Sequence, residues 1–334
     1  MNTRVSYFDY LNVFSCISVI ALHCNGVFHQ YTQDSQWVLS AIVNVLFYCA
    51  VPVFFMLSGA TLLEYRKRYS TEEFYKKRIK KTVLPYLFFT VVFYGLDIAV
   101  SYLQNGGKVF SLLTLLQILV AGTAPHADYW FFIPLFLLYL FLPFFSYIAM
   151  RASKRLMLFF IGIMVFFSGV YPIIAHFMDF QPVTTPINGF VLYAFMGYCL
   201  HKYNFEKSNG ILIVVCLLGL AAFIIRFVLL LHFPEGRVNL LMSYLGLYAI
   251  VPSAAIFMLF KRFLSGGGAQ TLSALSFGVY LIQEAVIQAL RIISSKMGMN
   301  EIFMQSAGIV VVYVACCSIV YFVRKINFLK WMFP

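Results

Sequence analysis

Ten apolar stretches, each close to the length of a membrane-crossing helix, run almost from one end of this chain to the other. They cover roughly residues 7–28, 37–63, 82–103, 129–149, 156–175, 187–201, 209–231, 239–260, 271–294 and 302–323. A spanning helix needs about 20 mostly apolar residues. No polar block between the stretches is large enough to be a soluble domain. Composition agrees, with 62% hydrophobic and 11% charged residues, where a soluble domain carries about 25% charged. A soluble core could not hide so much apolar surface, so the bilayer is the expected solvent. The expected fold class is an all-α integral membrane protein, a bundle of about ten transmembrane helices forming one domain over residues 1–334. Residues 111–121 are too short to span and read as an interfacial or re-entrant helix. No internal repeat is evident, which counts against an inverted-repeat transporter. No small-residue cleavage site follows the first apolar stretch, so that helix is expected to stay attached.

Charge sets the expected orientation, because Lys and Arg concentrate in cytoplasmic connections. With both termini in the cytoplasm, 19 of the 24 basic residues fall inside, eight of them between Arg66 and Lys81. The other five are Lys108, Arg226, Arg237, Arg291 and Lys296. The net charge of +12 is then mostly topology, and nucleic-acid binding is not needed to explain it. The seven cysteines lie in or beside apolar stretches without the spacing of a metal or redox motif, so they read as small packing residues. No metal constellation is present.

Polar groups inside a span are costly and tend to face a bundle interior or cavity. Asn12 and His23 are 11 residues apart, which places them on one helix face about 16 Å apart. Cys16 and Val19 share that stripe, giving the first helix a thin polar edge. Asp97, Gln117, Gln283, Glu284 and Gln288 are further intramembrane polar groups. Each has a plainer reading: an interhelical hydrogen bond for a lone His, and snorkelling to the interface for Arg226 and Arg291. Glu284, mid-span, must be paired, protonated or wet. The basic run 66–81 exceeds the other loops enough to offer a polyphosphate site.

Several strings together resemble the membrane acyltransferase-3 family, which includes bacterial O-acetyltransferases of surface polysaccharides. FDYLNVFSCISVIALH is similar to that family's F-D-x-x-R, ten residues, then His. VPVFFMLSGATLL looks like its V-P-x-F-F-x-x-S-G-x-x-L, and FYKKRIKKTVLPY like its F-x-x-K-R-x-x-R-x-x-x-P. YWFFIPLFLLYLFLP, LYAFMGYCL and LSFGVYLIQEAVI resemble later segments. The resemblance spans nearly the whole chain. Three positions depart from it: the first-helix Arg is Asn12, the second Arg of the loop pair is Lys81, and the later His is Gln283. His23 and Arg78 are kept.

The resemblance implies transfer of an acyl group, most often acetyl, from cytoplasmic acyl-CoA to a hydroxyl of a surface or lipid-linked glycan. The setting it implies is a bacterial cytoplasmic membrane crossed many times. Acyl-CoA enters as a co-substrate rather than a bound cofactor. Such chemistry needs a base for the hydroxyl and donors for the developing oxyanion, and His suits the first role near neutral pH. His23 is the expected catalytic residue, supported by Asp9, Asn12, Gln283 and Glu284. Arg78, Lys81 and Lys77 are expected at the acyl-CoA phosphates, and Tyr129 and Trp130 at the glycan acceptor. An acyl-histidine intermediate and direct transfer both fit. A glycan transporter or flippase is the rival from another class, and a homologue with a structural or sensory role is a third reading. His29 and Asp34 form a chance H-x4-D string in a short loop. Gly266–Gly268 lacks the strand and Lys-Ser/Thr of a phosphate loop.

Overall fold

The computed structural model describes residues 4–32, 34–104, 106–122, 127–181, 189–233 and 243–334, and within them the chain is helical without strands. The helices are α1 (Ser6–Cys24), α2 (Ser35–Phe47), α3 (Ala50–Leu62), α4 (Thr71–Arg78), α5 (Leu84–Leu103), α6 (Leu112–Ala121), α7 (Phe132–Arg151), α8 (Lys154–Val165), α9 (Tyr171–Phe177), α10 (Val191–Lys202), α11 (Asn209–His232), α12 (Leu247–Phe263), α13 (Gln270–Lys296), α14 (Glu301–Gln305) and α15 (Ala307–Lys325). Several join end to end. Eight helical segments among the described residues are long and apolar enough to cross a membrane: Ser6–Cys24, Ser35–Lys67, Thr71–Leu103, Tyr129–Arg151, Lys154–Phe177, Asn209–His232, Gln270–Lys296 and Ala307–Lys325. The expected sixth and eighth spans contain α10 and α12, of 12 and 17 residues. Among the described residues, eight of the ten expected spans meet the length of a membrane-crossing helix. The starts of those two spans and Arg237 lie outside the described residues.

The basic run 66–81 departs from the expected loop. Ser70 accepts from Glu73 N at 3.2 Å and starts α4, and Ser70-Thr71-Glu72-Glu73 has the S-x-x-E form of a capping box. The helix then continues into α5 through a π turn at Ile79–Val83. Pro85 explains that turn: in a regular helix its ring would clash with the carbonyl four residues back, and a wider turn opens the backbone there. The short apolar stretch 111–121 is a helix, α6, with Ser111 capping Thr114 N and Gly122 ending it at φ 65. Tyr86 and Tyr94 of α5 donate to the Leu119 and Ser111 carbonyls and hold it against the bundle.

The core lies among α1, α3, α10 and α13. Helices α3 and α10 meet backbone to backbone: a Cβ at Gly59 would overlap the Ala194 carbonyl, and one at Gly197 would overlap the Met56 carbonyl. Such approach through small residues is how helices pack tightly in membranes. The outward faces of α5, α7, α11 and α15 expose rows of large apolar residues, Leu217, Leu218 and Ile224 among them. Only lipid accommodates faces of this size and character. Contacts such as Arg4 to the Gln270 carbonyl, Lys202 to Glu64, Lys261 to the His201 carbonyl and Arg324 to the Ala274 carbonyl gather the expected inner connections at one end, the basic end.

Candidate active site

Helices α1 and α13 run side by side in the same direction, and the polar stripe of α1 faces α13. Asn12 Nδ2 donates to the Ser273 carbonyl at 3.0 Å and lies 3.1 Å from its Oγ. Cys16 Sγ donates to the Ser276 carbonyl at 3.7 Å. Farther along, the Gln283 amide nitrogen lies 3.2 Å from His23 Nδ1. The seam thus begins at the basic end and finishes at the histidine.

His23 sits in the last turn of α1, where backbone carbonyls have no partner within the helix. Arg291 of α13 supplies one, donating from Nη2 to the carbonyls of His23 at 3.0 Å and Cys24 at 3.2 Å. A cation at a helix C-terminus also opposes the local dipole. Gly26 makes room for the guanidinium, since a Cβ there would stand 2.6 Å from Arg291 Nη1. Asn25 anchors the following turn through Ser40, donating to its carbonyl at 2.8 Å and accepting from its hydroxyl at 2.6 Å. The histidine backbone is therefore held from two sides. Arg291 is not the snorkelling residue expected from its place in the sequence. Neither is Arg226, which is fully buried, donates to Asn44 Oδ1 at 2.7 Å and lies 3.8 Å from the Tyr48 ring centre.

Between the seam and helices α3, α4 and α7 lies a cavity of about 260 Å³, whose polar lining includes Asn12, Ser58, Arg78, Lys81, Thr82 and Tyr139. Phe54, Phe131, Phe277 and Tyr280 form much of its aromatic wall. A second space of about 290 Å³ shares Asn12, Phe54, Ser58, Arg78 and Tyr139 and extends the first to Asp9 and Thr61. Arg78, Lys81 and Thr82 are three and four residues apart, a spacing that shares one helix face, and all three reach the same cavity. Arg78 lies 5.8 Å from the Phe74 ring centre and 5.6 Å from that of Tyr139. Among the described residues no carboxylate pairs with it, and its Nε is buried without a hydrogen-bond partner. A half-buried cation left unpaired inside a polar cavity marks a place built for an anion or a strong acceptor.

The other expected site residues fall in different places. Asp9 pairs with Arg4 at the foot of α1 through bonds of 2.8 and 2.7 Å. Lys77 is spent on Glu73 at 2.7 Å and on the Tyr69 ring at 4.0 Å, away from both cavities. His23 is half-buried and stands beyond the cavity wall: Tyr280 lines the cavity, and Gln283, one turn on, carries the contact to the imidazole. Glu284 lies outside the cavity lining, accepting from Gln288 at 3.2 Å on the face of α13 that also carries Arg291, two turns on. Tyr129 is buried and donates to the Leu281 carbonyl at 2.7 Å, so it ties the turn that leads into α7 to α13. Trp130 is half-buried and stacks with Tyr244 at 5.4 Å. No group of three or more His, Cys, Asp or Glu that could hold a metal occurs among the described residues.

Sequence reading passed over Ser58, Tyr139, Ser273, Ser276 and Tyr280. A usable signal was present for most of them, because Ser58, Tyr139, Ser276 and Tyr280 are polar positions within the apolar strings that carry the family resemblance. Residues 5–323 match the family described as Acyltransferase domain, Acyl_transf_3. No curated protein and no solved structure matches the chain. A match over nearly the whole length, on a multi-pass helical bundle, places this chain in the acyltransferase-3 family.

Proposed function

We propose that the protein is an O-acyltransferase of a bacterial cytoplasmic membrane, moving an acyl group, acetyl first among them, from acyl-CoA to a glycan hydroxyl. The basic end faces the cytoplasm in this reading, as the distribution of Lys and Arg favours. The observation that carries it is the unpaired Arg78 in a cavity that leads from the basic end toward the Gln283–His23 pair. The donor's acyl-pantetheine arm occupies the aromatic-walled cavity, with Arg78 and Lys81 at its phosphate-bearing side. The acceptor approaches from the opposite end, where Trp130 and Tyr244 offer stacked rings.

His23 Nε2 takes the proton of the acceptor hydroxyl as its oxygen attacks the thioester carbonyl. The carbon–sulfur bond breaks, and the imidazolium returns the proton to the leaving thiolate. This role requires the proton of neutral His23 to sit on Nδ1, and therefore the Gln283 amide turned over, so that its carbonyl rather than its nitrogen faces Nδ1. The opposite amide orientation would leave the proton on Nε2 and remove the base. Gln283 therefore sets the tautomer, and Arg291 holds the backbone that presents the ring. Direct transfer forms no covalent intermediate with the chain. The test is purified protein in nanodiscs with radiolabelled acetyl-CoA and a membrane glycan fraction. Label in the glycan and CoA release, both lost in His23→Ala, are the expected result. Glycan movement across the bilayer with no donor consumption would instead establish a flippase.

A further inference from the structure

Beside the two cavities of the site lies a larger one at the basic end, about 570 Å³, whose lining includes Arg4, Phe8, Thr61, Glu64, Lys67, Arg68, His201 and Lys202. Phe8 and Thr61 also line the space beneath Asn12 and Arg78. Three spaces thus follow one another from the basic end toward Tyr280, and their character changes along the way. The inner one is walled by Phe54, Phe131, Phe277 and Tyr280, whereas the outermost is ringed by cations.

The charges of the outer cavity do not cancel. Arg4 is neutralised by Asp9 in a two-point pair. Glu64 is shared by Lys67 at 2.5 Å and Lys202 at 3.4 Å, and its Oε1 also accepts from the Tyr198 hydroxyl at 2.9 Å. Arg68 has no carboxylate among the described residues; it donates to the Thr61 carbonyl and lies 5.6 Å from the Tyr69 ring centre. Four cations against two carboxylates leave an excess of two positive charges. A phosphomonoester carries about −1.5 to −2 at neutral pH, so the excess matches one such group. The volume lies within the range of about 300–1,000 Å³ usual for small-molecule sites.

We infer that this outer cavity binds a phosphomonoester dianion, namely the 3′-phosphate on the nucleotide end of the CoA donor, with Arg68 and Lys202 as its principal contacts. The inference rests on the acyl-CoA reading given above and extends it. Arg78 and Lys81 then serve the middle of the donor, and a separate subsite reads its far end. Arg68 is exposed and offers a planar fork of donors, and Lys202 lines the cavity with its Nζ held in place by Tyr198 at 2.5 Å.

The test is calorimetric binding of CoA and 3′-dephospho-CoA to the full chain in phosphatidylcholine nanodiscs, for wild type, Arg68→Gln and Lys202→Gln. Gel filtration and melting curves check that each variant is folded. Wild type should bind CoA about tenfold more tightly than the dephospho form, as expected for a charge-assisted contact, and the ratio should fall toward one in both variants. Equal affinity of wild type for the two ligands overturns the subsite while leaving the donor reading intact. A ratio that survives in both variants places the phosphate elsewhere and also overturns it. Absence of binding by either ligand removes the acyl-CoA reading itself. Phosphatidic acid added to the nanodiscs separates the two sources of phosphomonoester: Arg68-dependent displacement of CoA would make a lipid headgroup the occupant and refute the assignment to the donor.

Discussion

Helices α3 and α10 touch through bare backbone, while α1 and α13 touch through polar side chains spaced along a seam. In the first pair, Gly59 and Gly197 each bring a backbone against the partner's carbonyl. In the second, Asn12, Cys16 and His23 meet Ser273, Ser276 and Gln283 in order. Backbone contact through glycine leaves no side chain to adjust, so it makes a stiff support. A polar seam gives away some packing in return for placed hydrogen-bonding groups. The contrast extends to the two interior arginines. Arg226 is fully buried against Asn44 and the Tyr48 ring, whereas Arg78 is half-buried and lines a polar cavity. Damage to the support should therefore appear as lost protein, and damage to the seam and cavity as lost turnover.

The largest effect should come from Gly197→Val. Its Cβ alone would overlap the Met56 carbonyl, so the cost exceeds the roughly 1–3 kcal/mol of ordinary overpacking. Against a total stability of about 5–15 kcal/mol, recovery of monodisperse protein and its melting temperature should both fall sharply. Gly95→Ala, which meets open space, should leave both unchanged. His23→Ala should do the reverse, cutting CoA release by about 10²–10⁴-fold, the usual range for a lost general base, with little change in melting. Equal loss of stability in His23→Ala and Gly197→Val would erase the distinction between support and seam. Arg78→Gln comes next. It removes a charge-assisted contact of about 1.5–3 kcal/mol, so the donor KM should rise about 10–100-fold, with Arg78→Lys recovering part. An unchanged donor KM would take Arg78 out of the donor site.

Legibility divides along the same line. The membrane class, the short helix 112–121 and the shared face of Asn12 and His23 were readable, because apolar length and helical period are local properties of the chain. The α3–α10 contact was not, since nothing local tells Gly59 that Ala194 will lie against it. Arg291 read as an interfacial cation because its acceptors, the carbonyls of residues 23 and 24, are 268 and 267 positions away. Arg226 misled for the same reason, its partner Asn44 lying 182 positions away. The helix at 71–78 was readable and passed over: Ser70 and Glu73 frame it, but the density of Lys and Arg there drew attention to topology instead. Lys77 shows the limit of reading a charge run as a site, because neighbours on its own segment, Glu73 and Tyr69, already occupy it.

The smallest effect, and the sharpest probe of the seam, is expected at Gln283. This side chain touches the imidazole and lies outside the lining of the donor cavity. If it sets the tautomer of His23, Gln283→Leu should lower kcat about five- to tenfold, the scale of one net hydrogen bond of about 1 kcal/mol, while the donor KM stays put. A purely structural role would instead lower the melting temperature and leave kcat per folded molecule unchanged. Gln283→His separates the two further. A ring nitrogen there can accept from His23 Nδ1–H as the turned amide carbonyl would, so part of the lost rate should return. Leucine replaces the volume without the acceptor, and histidine restores an acceptor with a different shape. Rescue by histidine but not leucine would assign the effect to the bond, and equal rates in both variants would assign it to packing.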